Sequence, residues 1–428
     1  MKSVRMGLPF LLLLTACVAN PVTGKNELAL FAVSADEEIG IGQKTFPQAV
    51  QQMGGEFGDV ALARYVERVG LGLAKLSERP ELPWQFRVVN DSSPNAFALP
   101  GGHIAITRGL LAELHSEAEL AAVLGHEIGH VTARHAVAGL QRGTLLNLGL
   151  SVLAGATRQS AYGVLAQQAG TLAADLLDKR YSREQERESD RLGIDYMVKA
   201  GYDPRGAVQL QEFFYRQLEG GAQGNWLEGM FRSHPFSAER LTANRDYIAQ
   251  RYPGAAGRLE ERAFLAASEH LRGLKGAYAR YDQAQALERK GDLHAAVTTY
   301  LQAATAGPDE ALILTGLGMA YLRSGDPASA RQHLVRAVKL DGRYFQSRLG
   351  LGYAYLQQSA PAPAVQELEA GQKLLPTLQG ALLLGEAYEK NNRREAAVEE
   401  YRAVVNADAQ GQLGRLAADR LRSLGAVQ

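Results

Sequence analysis

Cysteine is almost absent from this chain of 428 residues, and its single example is Cys17. A disulfide within the chain is therefore excluded, and stability has to come from packing. The charges balance, with 46 basic and 46 acidic residues, so no excess of positive charge favours nucleic acid as a partner. The length suits two or three domains, each with an apolar core.

The N-terminus has the composition of a targeting segment. Positive charge precedes a short apolar core, Met6 to Leu14, which is shorter than an ordinary membrane span. The tetrapeptide at 14–17 resembles a bacterial lipobox, in which the cysteine is lipidated. An ordinary signal peptide with an incidental cysteine is the alternative. We predict a signal peptide at 1–16 and a lipid on Cys17. Because Val18 rather than aspartate follows, the resemblance favours an outer-membrane anchor.

A second apolar stretch, Thr144 to Leu177, is rich in glycine and alanine. Its longest uncharged run, Gly143 to Thr157, falls short of the ~20 residues that a bilayer requires, and Arg158 interrupts it. The composition fits a buried helical hairpin or a mobile lid over a site, and it favours the hairpin.

The polar residues with the most specific spacing are His126, Glu127 and His130. Residues four apart on a helix lie about 40° apart around the axis, so both imidazoles project from one face. This spacing suits two ligands of a tetrahedral zinc ion, with Glu127 near enough to take a proton from an activated water. Ser116 and Glu119 predict a capping box at the start of the helix. The apolar stripe beside the ligands consists of Leu120, Val123, Leu124, Ile128 and Val131.

A second helix is predicted to begin at Ser182, which would form a capping box with Gln185. Glu186 and Asp190 are four apart on this helix and face the same way. One carboxylate would complete a site of two histidines and one glutamate, and its neighbour would orient a ligand imidazole. The alternative is a charged, solvated helix face. The presence of both helices favours a catalytic zinc site.

The region before the metal helix is predicted to mix helices and strands. A tether is expected at 17–34, then helices between Asp36 and Leu76 that glycines interrupt. Residues 84–89 alternate like a strand, and the Pro-Gly-Gly turn at 100–102 leads into a β-branched run. That second strand would bind an extended peptide by backbone pairing, or it is an ordinary core strand. The pattern leaves both interpretations open.

The end of the chain is repetitive from about Gln283. Alanines at 296, 330, 364 and 397 recur close to the ~34-residue period of the tetratricopeptide repeat. Stacked helical hairpins of this kind form a concave groove that usually holds protein segments. We predict a metal-binding domain at 35–260 and a repeat domain at 261–428, with the repeats separable from the first domain.

Together, the segment at 95–102, the motif at 126–130, the helix at 182–190 and Ser233-His234-Pro235 resemble the HtpX- and BepA-type zinc metallopeptidases. The repeats narrow the resemblance to BepA-like periplasmic members. Two features depart from the family pattern. Ser189 stands where alanine is usual, and the lipobox makes the physiological role less transferable.

The resemblance implies a predominantly α-helical chain, with a gluzincin-type domain containing a small sheet, followed by a repeat solenoid. It implies one zinc ion held by His126, His130 and Glu186, with Glu127 as general base and Asp190 as support. It also implies cleavage of stalled outer-membrane proteins and chaperone-like help beside the β-barrel assembly machinery, in the periplasm. His103 and His135 have no matching role and are interpreted as structural histidines.

Two classes of function follow. The first is an endopeptidase, and the second is a metal-binding chaperone or scaffold that recruits clients through its repeats. The presence of Glu127 favours the enzyme, because a scaffold has no use for a general base. His234 follows a glycine-rich connection at 220–224, so it is predicted either to occupy the open metal position or to stabilise the transition state.

Overall fold

A computed structural model of the protein describes residues 33–140, 180–219 and 237–426, together with 17–19, 22, 24, 26–28, 176–177 and 234. The predicted signal peptide, nearly all of the apolar stretch at 144–177 and the glycine-rich connection at 220–224 lie outside these residues. Within the described part, no helix has both the length and the apolar character needed to cross a bilayer. The prediction of a mostly helical chain with a small sheet is confirmed.

The strands of the described residues form two small sheets. In the first sheet, two strands pair antiparallel inside the segment predicted to be a tether. In the second, the central strand β5 pairs parallel with β3 and antiparallel with the edge strand β4. The strand bounds are β1 (Cys17–Ala19), β2 (Asn26–Leu28), β3 (Gln85–Val89), β4 (Ala96–Leu99) and β5 (His103–Thr107).

The first four helices of the described part of the chain pack against the three-stranded sheet. Helix α4 packs against α2, β4 and α5, and nearly all of its residues are buried. The metal motif therefore lies on a helix that is fixed by contacts on several sides. The bounds are α1 (Ala35–Gln52), α2 (Val60–Ala74), α3 (Arg108–Glu113), α4 (Glu117–Thr132), α5 (Arg183–Lys199), α6 (Arg205–Glu219), α7 (Ala238–Arg251), α8 (Glu261–Ala267) and α9 (Glu269–Gly273).

One predicted capping box is confirmed and the other is wrong in one of its two bonds. At the start of α5, Ser182 and Gln185 each accept a backbone N–H of the other. At the start of α4, Ser116 accepts the N–H of Glu119, but the Glu119 carboxylate accepts the N–H of His115, 2.6 Å away. The carboxylate still lies near the helix N-terminus, where negative charge is favoured.

The repeat helices pair as the period predicts. The alanines at 296, 330, 364 and 397 are fully buried on the second helices of successive pairs. The first helices of two of these pairs carry glycines where they contact the second helices. A Cβ on Gly318 or Gly352 would lie only 2.5 Å from a leucine of the partner helix. The bounds are α10 (Lys275–Arg289), α11 (Leu293–Ala306), α12 (Ala311–Arg323), α13 (Pro327–Leu340), α14 (Phe345–Gln357), α15 (Pro361–Leu374), α16 (Leu378–Lys390), α17 (Arg394–Ala407) and α18 (Gln412–Ser423).

The first repeats and the preceding domain share one hydrophobic core, which runs from Phe57 to Tyr344. The Arg108 guanidinium lies 3.4 Å from the centroid of the Tyr278 ring, and both groups are buried. Gln51 of α1 is fixed to the start of α14, because its side chain donates to the Arg343 carbonyl at 2.7 Å and accepts the N–H of Phe345 at 2.9 Å. These contacts argue against the prediction that the repeats are separable from the first domain.

We therefore expect deletion of residues 276–428 to destabilise the remaining domain. The deletion exposes the apolar surface that Tyr278, Tyr281 and Tyr344 cover, and uncovers the buried Arg108. Thermal unfolding followed by circular dichroism would show a lower, less cooperative transition. Deletion of 394–428 is the matched control, since α17 and α18 belong to a separate core farther along the repeats. A protein lacking 276–428 that unfolds at the full-length temperature would contradict the expectation.

Candidate metal centre

The centre forms where α4 and α5 cross at very short range. A Cβ on Gly193 of α5 would lie 2.8 Å from the backbone nitrogen of His126, and a Cβ on Gly129 of α4 would lie 3.0 Å from the Cα of Ser189. Glycines at these positions let the two backbones approach, and Ser189 is small enough to be fully buried there. The crossing places the histidines of one helix opposite the acidic residues of the other.

Four side chains converge at this crossing: His126, His130, Glu186 and His234. The two Nε2 atoms of His126 and His130 lie 3.0 Å apart. Glu186 Oε1 lies 3.4 Å from His130 Nε2 and 3.0 Å from His234 Nδ1. His234 Nδ1 also lies 3.3 Å from His126 Nε2. The predicted ligands His126, His130 and Glu186 are thus brought together, with His234 beside them.

These distances fit a tetrahedral metal. Ligand atoms about 2.0–2.1 Å from a tetrahedral zinc ion are separated from one another by about 3.3 Å, and the four separations given above run from 3.0 to 3.4 Å. The donor set of imidazoles and one carboxylate is also the chemistry that zinc prefers. The residues present therefore fit the ion that the sequence predicts.

Glu127 lies beside the four donors in a buried position. Its Oε2 has no hydrogen-bond partner among the described residues, and its Oε1 lies 3.6 Å from His234 Nε2. Burial raises the pKa of Glu127 above its ordinary value, although the neighbouring imidazoles oppose the shift. Burying a carboxylate oxygen without a hydrogen-bond partner costs free energy. A proton taken from a substrate or from water would give this oxygen of Glu127 a favourable interaction.

Asp190 accepts a hydrogen bond from His126 Nδ1 at 2.9 Å. Burial alone would raise the pKa of Asp190, but Arg240 and His126 outweigh it and hold the pKa well below its usual range. The Arg240 guanidinium donates to Asp190 at 2.8 Å and lies 2.6 Å from Glu186 Oε2. Arg240 is not predictable from the sequence, because no local pattern connects α7 to an acidic pair on α5.

The two histidines interpreted as structural differ in their surroundings. His103 is buried on β5, where its Nδ1 lies 3.1 Å from the Pro100 carbonyl and its ring packs on Phe46. His135 instead contacts a predicted ligand, since its Nδ1 lies 2.8 Å from His130 Nδ1. The interpretation of His135 as an ordinary structural histidine is therefore incomplete.

A cleft beside Glu127 is lined by seven apolar and seven polar or charged side chains, and most of its surface is apolar. It lies between α4, α5 and α6, and Ala96 of the edge strand β4 contributes to its wall. Gln211 and Asn244 form a hydrogen-bonded pair at the cleft, 3.0 Å apart. The apolar lining consists of Ala96, Ala122, Val123, Ile194, Met197, Ala207 and Leu210.

Comparison with known proteins gives the family of this centre. Residues 61–248 match Peptidase family M48. The chain carries an M48 peptidase domain. The matched range includes α4, α5 and His234. The family match and a relative named as a metalloendopeptidase imply a divalent metal, and the four converging donors are the residues that could bind it. Residues 315–378 and 379–410 match tetratricopeptide repeats, so the predicted repeats after the M48 domain are confirmed.

Several relatives resemble the M48 domain. The beta-barrel assembly-enhancing protease of Escherichia coli is 29% identical over 233 residues, which cover 51% of this chain and 47% of that protein. The mitochondrial metalloendopeptidase OMA1 of Arabidopsis thaliana is 36% identical, covering 39% and 32%. The metalloprotease YcaL of Escherichia coli is 32% identical, covering 39% and 63%. The chain spans less than half of the first two relatives.

Proposed function

We propose that the protein is a zinc-dependent endopeptidase that acts in the quality control and assembly of outer-membrane proteins. The observation that carries the proposal is the buried carboxylate of Glu127, with one oxygen that has no hydrogen-bond partner among the described residues, beside four converging donors. A scaffold or chaperone that only binds metal needs the donors but has no use for this carboxylate. The names of the assembly-enhancing relatives support the substrate class.

Each residue of the centre has a role in peptide hydrolysis under this proposal. His126, His130 and Glu186 hold the zinc ion, which when bound supplies Lewis-acid activation of water and of the scissile carbonyl. Glu127 takes the proton of the attacking water and delivers it to the leaving nitrogen. Asp190 fixes the ring of His126 through its Nδ1, and Arg240 holds both acidic residues of α5 in place.

The substrate is proposed to bind as an extended segment along β4. The strand for which the sequence left peptide pairing open is β5, which is paired on both sides. The edge strand β4 has β5 on one side and no strand partner on the other among the described residues. Backbone pairing would align a peptide with the edge without selecting its sequence. The apolar cleft beside Glu127 would then receive one side chain of the peptide. Such recognition suits unfolded or stalled outer-membrane proteins, whose strands alternate in polarity.

The proposal can be tested by a cleavage assay with the purified protein. The protein would be incubated with an unfolded outer-membrane protein, with and without a chelator, and fragments would be followed by electrophoresis. We expect fragments that disappear with chelator and return when zinc is restored. The zinc-loaded wild type and the zinc-loaded His234→Ala variant could both leave the outer-membrane protein uncleaved and yet keep it soluble. In that case the scaffold or chaperone function is correct instead.

His234 is proposed to hold the enzyme in a latent state. Its Nδ1 lies within 3.3 Å of donor atoms from His126 and Glu186, which is the position of a fourth ligand. Its other nitrogen faces Glu127. A ring in this position excludes water from both the metal and the general base. The alternative role, stabilisation of the transition state, requires a histidine that never enters the metal position.

We expect His234→Ala to raise basal proteolysis, because it opens one metal position and frees Glu127. Casein hydrolysis and zinc content would be measured on the same preparation. His115→Ala is the control, since this exposed histidine lies away from the donor cluster. A His234→Ala protein that keeps its zinc but cleaves more slowly than wild type would favour transition-state stabilisation.

Cys17 is proposed to anchor the protein to the outer membrane, facing the periplasm. Two or more acyl chains anchor stably where one chain is marginal. We expect Cys17→Ser to move the protein from the membrane fraction to the soluble periplasmic fraction after cell fractionation. Unchanged membrane association would count against lipidation. The repeats at 261–428 are proposed to recruit the β-barrel assembly machinery, while residues 35–260 form the peptidase.

A further inference from the structure

The helix that carries His130 ends at Thr132, and a turn at 133–134 precedes His135. On a continuous helix, residues five apart would lie about 140° apart around the axis. Arg134 instead adopts a left-handed conformation, with φ of 56°. Glu38 holds its side chain, accepting from the Arg134 Nε at 3.0 Å. The turn brings the buried ring of His135 next to His130, and strained backbone of this kind is often kept where it positions a functional group.

The contacts of His135 form a chain that starts at the metal centre. His135 Nδ1 lies 2.8 Å from His130 Nδ1, and His135 Nε2 lies 3.1 Å from Glu188 Oε2. Ser189 Oγ lies 3.4 Å from His135 Nδ1 as a weaker contact. On its other side, the His130 ring stacks on Tyr181 at 3.8 Å between centroids. His130 is therefore fixed by one ring on its face and another at its edge.

The proton positions along this chain follow from the ligand role of His130. If His130 binds the metal through Nε2, its Nδ1 carries the proton and donates to His135 Nδ1. His135 must then be an acceptor at Nδ1, so it carries its proton on Nε2 and donates to Glu188. Both hydrogen bonds in this series then have a defined direction, from His130 to His135 and from His135 to the Glu188 carboxylate.

We propose that His135 and Glu188 are positioning residues that orient His130 and strengthen its bond to zinc. This inference rests on the proposed zinc site and goes beyond it. The two ligand histidines of α4 would then be supported differently. His126 donates directly to Asp190, whereas His130 reaches a carboxylate through an intervening imidazole. Both carboxylates belong to α5 and follow the third ligand Glu186, Glu188 by two positions and Asp190 by four, which explains the density of acid in that turn.

The proton position on His135 is the first test. Two-bond ¹H–¹⁵N correlation spectra of the full-length, zinc-loaded protein, labelled on histidine, distinguish the two neutral forms of an imidazole. Loss of one signal set in His135→Asn assigns the ring. We expect His135 to be neutral with its proton on Nε2. A proton on Nδ1 would overturn the proposal, because such a ring cannot accept from His130.

Zinc affinity of variants is the second test. Removal of a group that orients a metal ligand typically weakens metal binding by about 10- to 100-fold. We expect that loss in His135→Ala, which leaves the buried Nδ1–H of His130 without an acceptor. His135→Asn keeps an oxygen close to the Nδ1 position and should restore most of the affinity. Glu188→Gln keeps an acceptor for His135 but loses its charge, so a smaller loss is expected. Competition with a chelator of known affinity gives the dissociation constants.

Two controls separate this proposal from the function on which it rests. Glu184→Gln changes an exposed carboxylate of the same helix, and His115→Asn changes an exposed histidine of the same domain; neither should alter zinc affinity. If wild type binds no zinc, the proposed peptidase centre fails. If wild type binds zinc and His135→Ala binds it equally well, only the role of His135 fails. Equal losses in His135→Ala and His135→Asn would mean that the ring is needed for packing alone.

Discussion

We expect Glu127→Gln to abolish cleavage while the zinc content remains one ion per chain. Glu127 lies beside the donors without being one of the four that converge, so the amide removes the base and leaves the ligands intact. Loss of a general base typically costs about 10²–10⁴-fold in rate. Casein hydrolysis measured in the His234→Ala background, where the site is open, would give the widest range for the comparison.

The control for this variant is Glu184→Gln, which changes an exposed glutamate on the neighbouring helix. In the His234→Ala background it should cleave at the rate of that parent. Hydrolysis by Glu127→Gln at the rate of its parent would mean that another group accepts the proton. Loss of zinc from Glu127→Gln would mean that this carboxylate is a ligand, and the division of roles in the centre would have to be revised.

The second large effect is expected for Glu186→Gln. Glu186 contributes its Oε1 to the donor set, and its Oε2 lies against the buried guanidinium of Arg240. The variant loses a metal ligand and also leaves part of a buried positive charge unpaired. Since loss of a supporting group alone weakens metal binding by up to about 100-fold, a larger loss is expected here. Atomic absorption after gel filtration would show little zinc.

Glu188→Gln is the matched comparison for Glu186→Gln. It makes the same chemical change two positions along the same helix, where the side chain contacts His135 instead of the donor set. We expect this variant to retain zinc under the conditions that empty Glu186→Gln. Equal zinc contents in the two proteins would show that the wrong carboxylate has been chosen as the third ligand.

Much of the centre was predictable because its signals are local. Both histidines and the general base lie within one turn and a half of one helix, and their spacing alone places the imidazoles on one face. Glu186 and Asp190 carry the same kind of signal on α5. The choice between the two carboxylates came from the family resemblance, and the contacts of each with the histidines are tertiary.

The roles of Arg240, His135 and Glu188 depend on contacts that have no local signal in the sequence. Arg240 lies 50 positions after Asp190, and no periodicity predicts that α7 would bring a guanidinium to the acidic residues of α5. The sequence predicts a structural role for His135, because the family resemblance gives it no other and because on a regular helix it would lie about 140° around the axis from His130. The left-handed conformation of Arg134 reverses that conclusion, and a single sequence gives no signal for it at a non-glycine residue.

The sequence by itself determined the helical class, the repeats, the spacing of the metal motif and the existence of a second acidic helix, since each depends on a period within one segment. Only the tertiary structure shows which of these segments pack against one another. It joined the first repeats to the M48 domain through one core, against the expectation of separable domains. It also brought His234, for which the sequence left two roles open, next to the three predicted ligands. These outcomes depend on side chains that are distant in sequence, and packing rather than local propensity determines which of them meet.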